Sequence, residues 1–140
     1  MPTLPEQIST HWMVWGLVLF LIKQWVADFM LQTAWMAKGK ERPQGWVFPL
    51  TLHVAIHGLG TLLITLAIAP SLAWLALVDI VIHGLIDRGK ARIQLHMTMT
   101  PDRSCFWWLL GIDQTLHHLT HLGFVLLLAA TKTASLAAQF

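Results

Sequence analysis

The sequence predicts an all-α, polytopic membrane protein with four transmembrane helices in a bundle. Of its 140 residues, 56% are hydrophobic and only 11% are charged, whereas a soluble domain carries roughly 25% charged residues. The hydrophobic residues form several long runs that are separated by short charged stretches. This composition excludes an ordinary soluble enzyme, a disordered chain and a nucleic-acid-binding protein. It predicts a single integral membrane domain over residues 1–140.

Four segments have about the 20 mostly apolar residues that a helix needs to cross a bilayer. The predicted spans are residues 12–36, 47–69, 72–90 and 106–130. The N-terminal stretch MPTLPEQIST lacks the basic region and the cleavage site of a signal peptide, so we expect the first span to be retained. Cys105 is the only cysteine, which excludes an intrachain disulfide.

Basic residues predict the orientation of the helices. Seven of the nine Lys and Arg residues lie in the loop after the first span, or at the end of the third span and in the loop that follows it: Lys38, Lys40, Arg42, Arg88, Lys90, Arg92 and Arg103. By the positive-inside rule, both loops face the cytoplasm and both termini lie outside. We therefore expect a bacterial inner (cytoplasmic) membrane protein that is surrounded by membrane lipids.

Many ionisable side chains lie inside the predicted spans, where they are costly and commonly carry function. Residues four apart share one helical face, and four such rows occur: Asp28 and Gln32; His53 and His57; Asp79, His83 and Asp87; Asp113, His117 and His121. In a bundle, these polar rows are expected to face one another.

The helical rise of about 1.5 Å per residue predicts that most of these groups share one layer, roughly 9–16 Å below the basic loops. The predicted members are Asp28, His53, His57, Asp79, His83, Asp113 and His117. The same estimate of depth places Asp87 closer to the basic loops and His121 farther from them. Similar depths on four helices of alternating direction indicate one buried site near the cytoplasmic side.

Imidazole and carboxylate groups in a bundle core suit a divalent metal ion such as Zn, Mn or Fe. The predicted metal ligands are His53, His57, His83, His117 and Asp79. The predicted catalytic acids, which serve as ligands or general bases, are Asp28, Asp87 and Asp113. Gln32, Gln114 and His121 are predicted to support the site, and Arg88 or Lys90 is predicted to bind substrate phosphate.

Four segments resemble a bacterial membrane-protein family catalogued as domain of unknown function 3307. They are ADFMLQTAWMAKGK (27–40), LHVAIHG (52–58), DIVIHGLIDRGKA (79–91) and FWWLLGIDQTLHHLTH (106–121). The resemblance implies an integral membrane protein of few helices and no established activity. The chain departs from the family at Gln24, four residues before Asp28, where related sequences often carry His.

Several functions are consistent with this pattern. The first is a metal-dependent hydrolase acting on a membrane-associated ester or phosphoester. The second is proton or metal-ion transport, which would require an oligomer because four helices are few for a transporter. The third is a structural or haem-binding subunit of a larger membrane complex. The simplest alternative is a hydrogen-bonded network that only fixes the helix register.

Overall fold

The computed structural model describes residues 7–138, so most of the N-terminal stretch considered for a signal peptide lies outside it. The helices are α1 (Thr10–Trp25), α2 (Ala34–Lys40), α3 (Val47–Ile68), α4 (Leu75–His96) and α5 (Ser104–Ala137). No strand occurs in the described range. Four helical segments are long and apolar enough to cross a membrane: Thr10–Met30, Val47–Ile68, Pro70–His96 and Ser104–Ala137. The predicted all-α fold class is confirmed.

The first apolar segment is shorter than the predicted 12–36. The helix α1 continues as a π-helical turn over Val26–Met30, and a new helix, α2, begins at Ala34. Thr33 caps α2, because its side chain accepts a hydrogen bond from the backbone N–H of Met36 at 3.2 Å. Such a side-chain cap satisfies an otherwise free N–H group at the start of a helix, so α2 forms a separate element that packs against α3.

The helix α4 is longer than the predicted 72–90. After a 3-10 turn at Pro70–Leu72, it extends to His96 and so includes part of the stretch expected to be a loop. Ala91, in this extension, is only 1% exposed, which indicates that tertiary packing stabilises the additional turns. The extension places Asp87 more than two turns from the end of the helix. Asp87 is therefore deeper than the helical-rise estimate from the sequence placed it.

The bundle is apolar at one end of its core and polar at the other. The helix α3 packs against α4, and α5 packs against both α1 and α4. On the side of the deep polar residues that faces the α1 N-terminus, the core contains Phe20, Leu75, Phe124 and Val125. The opposite end, which we call the α2 end, contains α2 and most of the buried His and Asp residues. The packing therefore separates a hydrophobic half from a half that can hold polar chemistry.

Gly58 allows α3 and α4 to approach closely beside His57. A Cβ atom here would collide with the Ile80 side chain and lie 3.2 Å from the Ala76 carbonyl oxygen. We expect Gly58→Ala to lower the free energy of unfolding by about 1–3 kcal/mol, the usual cost of overpacking. Gly123→Ala is the control, because no atom lies within 4 Å of its Cβ position. Equal stabilities of the two variants in detergent would contradict this account of the helix contact.

Candidate metal centre

Four histidine side chains from three helices meet near the middle of the bundle. His53 and His57 lie one turn apart on α3, His83 lies on α4 and His117 lies on α5. All four are buried. The His83 ring packs between those of His57 and His117, with centroid distances of 3.8 and 3.9 Å. A buried His/Asp site is thus present, as the spacing of these residues predicted.

A first group of candidate ligands combines three of these histidines with Asp28. The ligand atoms of Asp28, His53, His57 and His83 all lie within 4.8 Å of one another. Asp28 Oδ1 is 3.4 Å from His53 Nε2 and 3.1 Å from His57 Nε2, and His53 Nε2 is 3.3 Å from His83 Nε2. Donors bound to one tetrahedral zinc at about 2.0–2.1 Å are themselves roughly 3.3–3.4 Å apart. This spacing suits a divalent cation.

Asp87 connects this group to a second one, which consists of His83, Asp87 and His117. Asp87 Oδ1 lies 3.3 Å from His117 Nε2. Asp87 Oδ2 lies 3.4 Å from His53 Nε2 and 3.9 Å from His83 Nε2. The two oxygens of Asp87 therefore face imidazoles of both groups. The residues of the two groups form what we call the ligand cluster: Asp28, His53, His57, His83, Asp87 and His117.

Hydrogen bonds between protein groups leave the ligand cluster incomplete. Within residues 7–138, the buried Nδ1 atoms of His53, His57 and His83 have no hydrogen-bond partner. The Nε2 atoms of His53 and His83 face each other, and two neutral imidazoles can place only one proton between them. A partly satisfied buried network is unfavourable. A cation on the Nε2 atoms would leave these Nδ1 atoms unpaired, so a bound cation is favoured by the convergence of Nε2 and carboxylate oxygen atoms, which lie within 4.8 Å of one another in each group.

Asp28 lies in the π-helical turn, a kind of irregularity that is frequent at functional sites. Gln24 Nε2 donates to Asp28 Oδ2 at 2.6 Å, and Gln32 Nε2 donates to the Asp28 carbonyl oxygen at 3.0 Å. The Gln24 side chain thus occupies one carboxylate oxygen and leaves Oδ1 facing His53 and His57. Gln24 therefore orients a candidate ligand.

A cavity of about 380 Å³ leads from the α2 end of the bundle to the ligand cluster. Its polar lining consists of Asp28, Gln32, Lys38, Lys40, Glu41, Asp87, Lys90, Asp113, Gln114 and His117. Lys40 Nζ lies 2.7 Å from Asp87 Oδ2. Lys90 Nζ lies 3.5 Å from Asp113 Oδ2 and 3.6 Å from Glu41 Oε1. The cavity therefore combines candidate metal ligands, carboxylates and three lysines in a space large enough for a small molecular group.

The family model described as "Protein of unknown function (DUF3307)" matches residues 17–140. This range contains the whole ligand cluster.

The chain belongs to the DUF3307 family. No curated protein and no solved structure matches the chain significantly.

Asp79 and His121 of this DUF3307 protein lie outside the ligand cluster, in a second polar group that we call the deep network. Lys23 Nζ is 2.6 Å from Asp79 Oδ2 and 3.0 Å from His121 Nε2. Thr61 Oγ1 also donates to Asp79 Oδ2. Asp79 is one turn from His83 on α4, and there its carboxylate already has three partners, since His121 Nε2 lies 3.4 Å from its Oδ1. The deep network consists of Lys23, Thr61, Asp79 and His121.

The remaining predicted residues of this DUF3307 chain lie around the cavity or beside it. Asp113, Lys90, Gln32 and Gln114 line it, and Gln114 Nε2 donates to Asp113 Oδ2 at 3.1 Å. Arg88 is not among the lining residues. Its guanidinium lies 4.2 Å from the centre of the Trp46 ring and donates to a backbone carbonyl at 3.0 Å.

Six polar residues of these sites were not among the predicted site residues: Lys23, Gln24, Lys38, Lys40, Glu41 and Thr61. Lys23 lies inside the first apolar segment, and its charge there was the one available signal. Lys40 was assigned to a loop, yet it is only 7% exposed because α2 turns its side chain toward Asp87. Thr61 shares a polar face with His57 at i+4, but a threonine in an apolar helix gives no specific signal.

Proposed function

We propose that this protein is a membrane-embedded, metal-dependent hydrolase that acts on a membrane-associated ester or phosphoester. The observation that carries the proposal is the position of the ligand cluster at the inner end of a lysine-lined cavity. In this proposal, the four candidate spans lie in a bacterial inner membrane, with the basic loops and the cavity mouth facing the cytoplasm.

The ligand cluster would hold one or two divalent cations, with Zn, Mn and Fe as the candidates. Bound there, a cation would polarise the scissile ester and supply an activated water at neutral pH. Asp28 and Asp87 supply carboxylate oxygens, and His53, His57, His83 and His117 supply Nε2 atoms. Asp87 is additionally held by Lys40 Nζ at 2.7 Å, which fixes the orientation of its carboxylate.

Asp113 is the residue best arranged to accept a proton. It lines the cavity but belongs to neither group of candidate ligands. Its Oδ1 lies 3.7 Å from His117 Nε2, and this buried oxygen has no hydrogen-bond partner within the described residues. Lys90 lies beside its other oxygen. Asp113 would therefore act as the general base, with Lys90 and Lys40 attracting the negative charge of the substrate.

The shape of the core supports hydrolysis over ion transport. Beyond the deep network, the centre of the bundle is closed by Phe20, Leu75, Phe124 and Val125. Ions would require polar partners along a continuous path through the membrane. A cavity that opens at one end and stops at a cluster of ligands suits a reaction chamber.

The test is metal-dependent hydrolysis by the detergent-purified, metal-loaded protein, using p-nitrophenyl phosphate and p-nitrophenyl butyrate as probes. We expect turnover that chelators abolish. Asp113→Asn should reduce kcat about 100-fold or more, the usual contribution of a general base, while it retains the metal. Asp102→Asn is the matched control, because Asp102 is exposed in the α4–α5 link.

Three results would contradict the proposal. Stoichiometric metal without hydrolysis of either ester, combined with ion flux in liposomes, would assign transport. A Soret band would assign haem binding. Equal turnover by the Asp113→Asn and Asp102→Asn variants would remove Asp113 from the mechanism.

A further inference from the structure

A second, apolar groove runs along the outer surface between α4 and α5. It has a volume of about 220 Å³. Its apolar walls are formed by Leu85, Ile86 and Ile93 of α4 and by Leu109, Ile112 and Leu116 of α5. Several of these side chains are strongly exposed, Leu85 by 68% and Ile112 by 57%. The groove lies within two candidate membrane spans, so its surroundings in a bilayer would be hydrocarbon chains.

This groove meets the polar cavity at two residues. Lys90 and Asp113 line both spaces, and their side chains lie 3.5 Å apart. An amphiphilic molecule could therefore lie in both spaces at once. Its polar group would be beside the lysines and the ligand cluster, and its chain would lie between α4 and α5.

We propose that the α4–α5 groove binds the hydrocarbon chain of a phosphate-bearing membrane lipid, whose headgroup enters the cavity from the side. This inference rests on the proposed hydrolase function and names its substrate class, a lipid phosphoester. Three lysines, Lys38, Lys40 and Lys90, line the cavity beside four carboxylates, Asp28, Glu41, Asp87 and Asp113. Divalent cations bound in the ligand cluster would make the sum of these charges positive, which favours a phosphate-bearing headgroup. The position of the groove indicates that it binds a hydrocarbon chain, because it lies within two candidate membrane spans, at the depth of the lipid chains.

The groove also has a consistent direction. From Ile93 to Leu85, its α4 wall leads away from the α2 end by eight residues, which is about 12 Å along the helix. Its α5 wall leads the same way from Leu109 to Leu116. The chain would therefore point toward the bilayer centre while the headgroup remains near the membrane surface.

Gly89 provides the test of the chain-binding part. It lines the groove, and no atom lies within 4 Å of a Cβ built on it, so a larger side chain can extend into the groove without displacing backbone. Gly89→Phe should fill the space that the chain uses. Gly111→Phe is the matched control, because Gly111 is equally open but does not line the groove.

Binding is measured by native mass spectrometry on the metal-loaded, full-length protein. The probes are dioleoyl phosphatidic acid, dioleoylglycerol and glycerol 3-phosphate. We expect Gly89→Phe to weaken binding of phosphatidic acid about ten-fold, the equivalent of roughly two buried methylene groups, and to leave glycerol 3-phosphate binding unchanged. Gly111→Phe should bind both as the wild type does, and dioleoylglycerol should bind more weakly than phosphatidic acid.

A separate variant, Lys90→Gln, tests the proposed binding of the lipid headgroup. Lys90→Gln should weaken binding of both phosphatidic acid and glycerol 3-phosphate, because it removes a charge from the shared wall. Equal phosphatidic acid binding by Gly89→Phe and the wild type would overturn the proposal. So would a change of oligomeric state in Gly89→Phe without a change in lipid binding, which would assign the groove to a second copy of the chain.

These binding measurements do not depend on turnover. Selective loss of phosphatidic acid binding in Gly89→Phe, in a protein that hydrolyses no ester, would retain the lipid site and reject the hydrolase. Hydrolysis of p-nitrophenyl phosphate together with unaltered lipid binding in Gly89→Phe would retain the hydrolase and reject the lipid site.

Discussion

Replacing His83 by leucine is expected to remove bound metal from the protein almost completely. His83 is the one residue that belongs to both groups of candidate ligands within the described chain. Its Nε2 lies 3.3 Å from that of His53, and its ring packs against His57 and His117. Leucine preserves most of the volume but provides no ligand atom. A single substitution at this position therefore disrupts both groups.

The expected loss of metal affinity exceeds about 100-fold, because replacement of residues that merely support a ligand already costs about 10–100-fold. Elemental analysis of the purified wild type and His83→Leu proteins measures it, after identical exposure to Zn, Mn or Fe. An absorbance spectrum of the same samples excludes haem as the bound group.

His121→Leu is the matched control for this experiment. His121 is also a buried histidine, with 4% exposure, and it also lies in a row of polar residues spaced four apart. Its Nε2, however, faces Lys23 and Asp79 at 3.0 and 3.4 Å and belongs to neither group of candidate ligands. We expect His121→Leu to retain the metal. Equal metal contents in both variants would assign the binding to another part of the chain.

A protein that fails to fold would also lose its metal, so a gentler variant accompanies His83→Leu. Asp28→Asn keeps the shape of the side chain while removing its negative charge, and Asp28 lies at the cavity wall. We expect this variant to fold normally and to bind metal less tightly. Normal folding with unchanged affinity would remove Asp28 from the ligand set.

The spacing of polar residues predicted much of the candidate site, because a helix brings residues four apart onto one face. That rule accounts for the approach of His53 and His57 on α3, and the meeting of His83 with His117 follows from the expectation that the polar rows of a bundle face one another. The separate depth estimate covered a layer about 7 Å thick, so it did not distinguish residues one helical turn apart. Asp79 occupies the same row as His83, yet it lies about one turn, or about 6 Å, away along the helix, where Lys23 and Thr61 bind its carboxylate.

Contacts between helices could not be predicted from spacing within a helix. Lys40 reaches Asp87 because the chain breaks before Ala34 and forms α2, and this break depends on a local cap at Thr33. Lys23 reaches Asp79 because its stem crosses α3 at Gly60, where a Cβ atom would lie 2.8 Å from Lys23 Cγ. Both contacts require the packed bundle, and the local sequence identifies the partner of neither lysine.

The buried ion pair of the deep network, Lys23 with Asp79, is expected to stabilise the folded protein strongly. Lys23→Met is expected to lower the free energy of unfolding by about 3–5 kcal/mol, the cost of leaving one partner of a buried ion pair alone. The Lys23 and Asp79 side chains are 5% and 1% exposed, and their charged atoms are 2.6 Å apart. In the variant, the Asp79 carboxylate would keep Thr61 and His121 as partners but would have lost its cation. Unfolding in mixed detergent micelles measures the loss.

The double variant Lys23→Met/Asp79→Asn separates the ion pair from the packing of the lysine stem. Because it removes both charges, it should recover more than half of the stability that Lys23→Met loses, so the two substitutions should be strongly non-additive. Lys132→Met is the control for a lysine outside the network. Its Nζ lies 4.9 Å from the centre of the Trp12 ring, and its replacement should cost only about 0.5–1 kcal/mol. Additive effects at Lys23 and Asp79, or equal losses at Lys23 and Lys132, would show that the deep network does not act as a buried ion pair.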